Sequence, residues 1–196
     1  MQAVPTERPT GQSTVLPTGH YILFWTLAVV GCAADLATKH WAFAQLGMPG
    51  GRVQWVWPGY VGCETSLNQG ALFGLGQGMV FVFAGLSVVA AIGIVYWLFF
   101  RGAAQDRLLT LALGGITGGI AGNLYDRLGL HGLVDFNGQR VYAVRDWILF
   151  QASDQWRWPN FNIADSLLVC GAVLLVWHAF WTHDSQAAAS EARAGS

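Results

Sequence analysis

The sequence predicts an all-α membrane bundle of four transmembrane helices, and three observations carry that reading. The chain is 54% hydrophobic and 11% charged, with ten Trp and a mean hydropathy of +0.41 over 196 residues, whereas a soluble domain carries about twice that charge. Uncharged runs long enough to cross about 30 Å of hydrocarbon recur along it. Two aspartates stand at the borders of apolar segments: Asp146 in Val144-Arg145-Asp146-Trp147-Ile148, and Asp165 in Asn160-Phe161-Asn162-Ile163-Ala164-Asp165-Ser166. An ionisable group in hydrocarbon costs roughly 2.5–3.5 kcal/mol on insertion scales, so its default reading is functional.

The first span is the least clean, because the uncharged run of residues 21–34 is short and continues through Asp35 and Lys39 to Phe43. Those two charges lie four apart on one helix face, where they can pair and point into a bundle or to the interface. Val29-Val30-Gly31-Cys32 loosely resembles the box cut in bacterial lipoproteins. A cleaved signal, however, wants a positive region directly before its apolar run, and here residues 1–19 are mostly polar with Arg8 remote. They read as a disordered tail, residues 20–183 as one domain, and residues 184–196 as a second disordered tail.

The second span is residues 79–100, uncharged and closed by Arg101, and the third is residues 108–125. In the third, Gly114, Gly118 and Gly122, with Gly115 and Gly119, recur at spacings of four, which lets helices approach closely. Asn123 and Arg127 follow at i and i+4 on one face. They can position a carbonyl or orient a carboxylate, or the Arg can simply snorkel to headgroups. The fourth span is residues 161–181, whose only charge is Asp165.

An even number of spans places both termini on one side and the loops 44–78 and 126–160 on the other. The link from Arg101 to Arg107 carries two Arg, but the long loops carry Arg52, Arg127, Arg140, Arg145 and Arg157, so charge decides the orientation only weakly. The first loop is aromatic over residues 55–60, and Asn68 and Gly70, taken alone, read as a turn.

Other chemistries are disfavoured. A net charge of −1 with scattered cations offers no stripe for nucleic acid. Three cysteines imply no disulfide framework, and Cys32 and Cys170 lie in apolar runs. Cys63 has no His near it in sequence to activate it as a nucleophile. There is no His-Glu-x-x-His for zinc, and no metal or organic cofactor is expected. A serine and lysine dyad would have to use Lys39, the only lysine. A proton-coupled transporter also places acids in spans, but it predicts internal repeats and broken helices, which the sequence does not show.

Five ordered motifs over residues 20–182 resemble the lipoprotein signal peptidase (signal peptidase II) family: Asp35-x-x-x-Lys39, Asn68-x-Gly70-Ala71-x-Phe73, Gly122-Asn123-Leu124-Tyr125-Asp126-Arg127, Val144-x-Asp146-Trp147-Ile148 and Phe161-Asn162-x-Ala164-Asp165-Ser166. The resemblance implies a four-helix inner-membrane aspartic peptidase with cytoplasmic termini and a small extracytoplasmic β-rich cradle. It implies a catalytic pair of aspartates at the outer membrane surface. It also implies cleavage of diacylglyceryl prolipoproteins N-terminal to the lipidated cysteine, inhibition by globomycin-type peptides, contact with membrane lipid, and a monomer. Asn68, Gly70, Asn123, Arg127, Asn162, Asp35 and Lys39 match the family's substrate-binding or supporting positions.

Two close carboxylates cannot both ionise readily, so the pair shares one proton and titrates as a unit. One departure from the family pattern is that this chain has two Val-x-Asp-like segments, Leu133-Val134-Asp135-Phe136 and Val144-Arg145-Asp146-Trp147. Asp135 keeps the family-like distance from Arg127. Asp146 keeps the distance to Asp165 and the longer matched stretch through Ile148-Leu149, Trp156 and Pro159, which favours it. Asn137-Gly138 is a strong hairpin signal, so residues 130–145 are expected to form an inserted hairpin with Asp135 near its exposed tip.

Overall fold

A computed structural model describes residues 17–50, 52–70, 75–153 and 155–194, with side chains to residue 181. Among these, four helices are long and apolar enough to cross a membrane. Helix α1 runs Thr18–Leu46, and Gly47 ends it by turning to φ +78° while its N–H bonds to the Phe43 carbonyl. Helix α2, Val80–Val95, continues as a π-turn over Tyr96–Phe100. Helix α3 is Arg107–Arg127 and helix α4 is Ile163–Ala194.

Helices α1, α3 and α4 run beyond the uncharged spans, whereas α2 with its π-turn ends with its run at Phe100. Thr18 and Gly19, expected in a disordered tail, are already helical in α1, while residues 1–16 lie outside the described set. Residues 184–194, also expected to be disordered, have a helical backbone continuing α4. The physical reason is that Ala, Gln, Glu and Arg, which dominate residues 186–194, have high helix propensity and extend a helix already nucleated by a membrane span.

Helix α3 is the central element, buried over most of its span, and it packs against α1, α2 and α4. Its glycines explain how. A Cβ on Gly114 would meet the Phe24 carbonyl at 3.0 Å, and one on Gly118 the Ala28 carbonyl at 2.9 Å; one on Gly119 would meet the Ala164 carbonyl at 2.5 Å. At Gly122 the side chain of Asp35 fills the place a Cβ would take. Backbones therefore touch where side chains are absent, as close helix packing in lipid requires. At the far end, Asp106 caps α3 by accepting from Leu109 N (2.9 Å) and contacts His178 of α4 at 2.5 Å.

At the other end of the bundle the loops carry one antiparallel sheet in the order β1-β2-β3-β4: Gln54–Trp57, Val61–Asn68, Val144–Ser153 and Trp156–Arg157. The ends of α1 and α3 and the starts of α2 and α4 all lie there. Strand β3 is central, and Asp146 sits opposite Ser66 of β2. Between α3 and β3 the chain folds back on itself around Asp135–Gln139. Val134 and Arg140 form a single isolated antiparallel bridge, and Gly138 turns at φ +75°.

Candidate active site

The site begins at the start of α4. Asn162 and Asp165 bond reciprocally: the Asn162 side-chain oxygen accepts from Asp165 N (2.9 Å), and Asp165 Oδ2 accepts from Asn162 N (3.3 Å). This is the capping-box arrangement, read three residues apart in the sequence, and it fixes the Asp165 side chain at the positive end of the helix. Asp165 Oδ1 accepts from Asn123 Nδ2 of α3 at 2.8 Å.

Asn162 Nδ2 donates at 2.6 Å to Asp146 Oδ1, so one amide is bonded to both aspartates. Asp146 is 2% exposed. Burial, reinforced by the negative charge of Asp165, pushes its carboxyl up to about 8, against the opposing effects of Lys39 and of hydrogen bonds from Asn162 and Asn68. Asp146, Asp165, Asn68, Asn123 and Arg127 line one open cavity of about 640 Å³ between the sheet and helices α2, α3 and α4.

Beneath the pair lies a fully buried ion cluster. Lys39 Nζ donates to Asn123 Oδ1 at 2.8 Å and forms ion pairs with Asp35 Oδ2 at 2.7 Å and Asp126 Oδ2 at 3.2 Å. Because Lys39 only donates, the Asn123 oxygen must face it, and the Asn123 amide N–H is thereby aimed at Asp165. Asp35 Oδ1 accepts from Ala164 N at 2.9 Å, in the first turn of α4. The two charges that the sequence allowed to point inward or to the interface therefore point inward.

Two supporting residues escaped the sequence reading as site candidates. Asp126 Oδ1 accepts from Arg145 Nε (3.1 Å) and Nη2 (2.8 Å), and its Oδ2 accepts from Arg145 N (2.9 Å). This clamp ties β3 to α3 immediately beside Asp146. Their signal was adjacency, since each stands next to a residue already singled out, Asp126 to Arg127 and Arg145 to Asp146. In the whole cluster Asp35, Asp126, Asp146 and Asp165 face Lys39, Arg127 and Arg145.

The other sequence candidates fall as follows. Arg127 lies over the Phe83 ring, 5.8 Å from its centre, at the cavity wall. Asn68 Oδ1 accepts from Gly70 N at 2.9 Å, which is the expected local turn, and its side chain also bonds Asp146. Ala71 and Phe73 of that motif lie outside the described residues. Asp135 lines a different cavity, its Oδ1 accepting from Asn137 N and Gln139 N, both at 2.8 Å. Cys32 lies in mid-helix, and burial pushes the Cys63 thiol up, which disfavours a thiolate.

Fold and cavity together define a multi-pass membrane protein that holds two carboxylates at the border of its spans. The chain belongs to the signal peptidase II family: the family profile described as Signal peptidase (SPase) II matches residues 27–181. It is 54% identical to a lipoprotein signal peptidase of Rhodopirellula baltica over 178 residues, covering 90% of this chain and 80% of that one. It is 34% identical to the lipoprotein signal peptidase of Pseudoalteromonas atlantica, covering 83% and 92%. A solved structure described as "Bacterial membrane enzyme structure by the in meso method at 2.3 A resolution" shares the fold, with a TM-score of 0.67 at 24% identity, covering 83% of this chain and 90% of that one. The transporter alternative finds no support in these matches.

Proposed function

We propose that this chain is an aspartic endopeptidase that removes the signal peptide of diacylglyceryl-modified prolipoproteins, cutting N-terminal to the lipidated cysteine, with Asp146 and Asp165 as the catalytic pair. The carrying observation is that both carboxylates line one cavity and each accepts from Asn162, Asp146 from its side-chain Nδ2 and Asp165 from its backbone N–H, while Asp135 lines another. In the resting pair Asp146, the more buried, holds the proton, and Asp165 carries the charge at the helix N-terminus. Asp165 takes a proton from water as the water oxygen attacks the scissile carbonyl, and Asp146 donates its proton to the carbonyl oxygen. On collapse Asp165 passes its proton to the leaving nitrogen as the C–N bond breaks, and a hydroxyl of the tetrahedral intermediate returns its proton to Asp146, releasing a carboxylic acid on the signal peptide and an amine on the lipidated cysteine, which ionise to carboxylate and ammonium. The pair is then ready for another cycle. Asn68 and Arg127, which line the cavity, are assigned to the substrate backbone; Gly70, bonded to Asn68, supports it, and Asn123, Asn162, Asp35 and Lys39 position the pair.

The enzyme acts as a monomer in the bacterial inner membrane. Its termini are cytoplasmic and its sheet is an outward-facing cradle beside the inserted hairpin of residues 130–145. Residues 20–183 form the catalytic domain. The test is cleavage of a diacylglyceryl prolipoprotein by the purified full-length chain, with and without a globomycin-type peptide. Inhibitable cleavage before the lipidated cysteine is expected, and absence of cleavage by a folded preparation would overturn the reading.

A further inference from the structure

A second cavity, of about 490 Å³, opens on the other side of the fold-back segment, lined by Asp135, Arg140, Tyr142, Val80, Phe81 and Met48 among others. Its depth is set by its walls. Val80 and Phe81 are the first turn of a membrane span, and Met48 lies two residues beyond the end of another, so the cavity stands where hydrocarbon meets headgroups. Phe136 is fully exposed beside it, and Leu130, Val134 and Phe81 are also exposed, as side chains facing acyl chains would be.

Its charges are unusual. Asp135 and Arg140 both line the cavity, yet among the described residues neither forms an ion pair, with one another or with any other group. The Asp135 carboxylate is fixed through Oδ1 by two backbone N–H groups, which leaves Oδ2 open. The stem of Arg140 and the ring of Tyr142 lie against Gly129, where a Cβ would meet them at 3.0 and 3.1 Å, and Gly129 has φ +68°. Tyr142 in turn packs on Phe81, their ring centres 5.2 Å apart. One exposed cation and one anion held by backbone N–H groups at headgroup depth, over an apolar floor, match a ligand that carries both a phosphate and a hydrogen-bonding ammonium.

We propose that this cavity binds a phospholipid with a primary ammonium headgroup, a phosphatidylethanolamine, with Arg140 on the phosphate and Asp135 on the ammonium. A phosphatidylglycerol satisfies only Arg140 and leaves Asp135 facing a net negative headgroup. Charge-assisted hydrogen bonds strong enough to orient a headgroup separate the two lipids by about tenfold or more in affinity.

The test uses the purified, delipidated full-length protein in detergent, titrated with dioleoyl-phosphatidylethanolamine or dioleoyl-phosphatidylglycerol, with retained lipids counted by native mass spectrometry. The parent protein is expected to retain phosphatidylethanolamine about tenfold more tightly. Asp135→Asn, which keeps the oxygen that accepts from Asn137 and Gln139, should erase that preference. Arg140→Gln should weaken both lipids, and Arg140→Lys should restore them in part. Equal retention of the two lipids by the parent, or a preference that survives Asp135→Asn, would overturn the proposal. So would displacement of the bound lipid by an unlipidated signal peptide, which would make the cavity a peptide site. Because Arg140→Lys and Asp135→Asn conserve shape, unfolding temperatures matching the parent's separate lost binding from lost folding.

Discussion

Asn162 is the residue on which the site turns: it caps α4, orients Asp165 and bonds Asp146. Under the proposed mechanism Asp146 and Asp165 act as a unit, so Asp165→Asn and Asp146→Asn should each lower cleavage by at least about 10²–10⁴ while leaving the protein inserted. Asp135→Asn, in the separate cavity, should retain most activity. Turnover of a prolipoprotein by the three purified variants decides this, and an inactive Asp135→Asn with an active Asp146→Asn would reverse the assignment. The pair also sets a pH dependence. The Asp146 proton is held below about 8 and lost above it, so the rate should fall as pH rises through that value. Since the folded value lies above the ordinary carboxylate range, stability linked to this group is greatest in acid and is likewise lost as pH rises through about 8. Asn68→Ala removes a hydrogen bond that favours the ionised form, so the alkaline limb of the pH–rate profile should move upward. An unmoved or lowered limb would exclude Asn68 as a tuner of the pair.

Among the elements, α3 bears the strictest constraints, because its glycines admit the backbones of α1 and α4. Gly122→Ala would collide with Asp35 and disturb the Lys39 cluster, and it should cost about 1–3 kcal/mol. Gly115→Ala meets only Leu167, at 4.0 Å, and should be near neutral. Thermal unfolding in detergent compares them, and equal losses would show that the spacing-of-four stripe packs uniformly rather than at specific contacts. Lys39→Met tests the link between helices. It leaves Asp35 and Asp126 buried without their shared partner and should destabilise by about 3–5 kcal/mol, as removal of one member of a buried pair does. Activity should fall with it, because Asn123 loses the donor that holds its amide toward Asp165.

For the whole molecule, the four helix ends that carry the sheet, the aspartate pair and the second cavity all lie at one end of the bundle. Under the proposed topology that end faces outward. In a background lacking Cys32, Cys63 and Cys170, Phe136→Cys should react with a membrane-impermeant maleimide on intact spheroplasts, whereas a cysteine at residue 103, in the link before α3, should react only after permeabilisation. The opposite pattern would invert the orientation.

The spans were legible in the sequence because hydrocarbon demands long uncharged runs whatever their neighbours, and the capping of α4 was latent in the local spacing of Asn162 and Asp165. The motifs also singled out most of the polar residues that the fold gathers, since in an apolar chain each such residue is costly and stands out. Helix ends were less legible, because α1 begins at Thr18 and Gly19, whose low propensity gives no local signal, and α4 continues through Ala-rich residues of high propensity that lack the hydropathy of a span. The Asp35–Lys39 pair was legible from its spacing of four, and the matched stretch favoured Asp146 over Asp135, but the longer-range partnerships could not be read. That Lys39 also reaches Asp126 and orients Asn123, that Arg145 clamps Asp126, that Asp35 holds Ala164 and that Asn162 bonds Asp146 depend on contacts across 16 to 129 residues of chain. Such contacts exist only when α3's bare backbone lets three helices close around one polar cluster, and no local pattern encodes which charge will meet which.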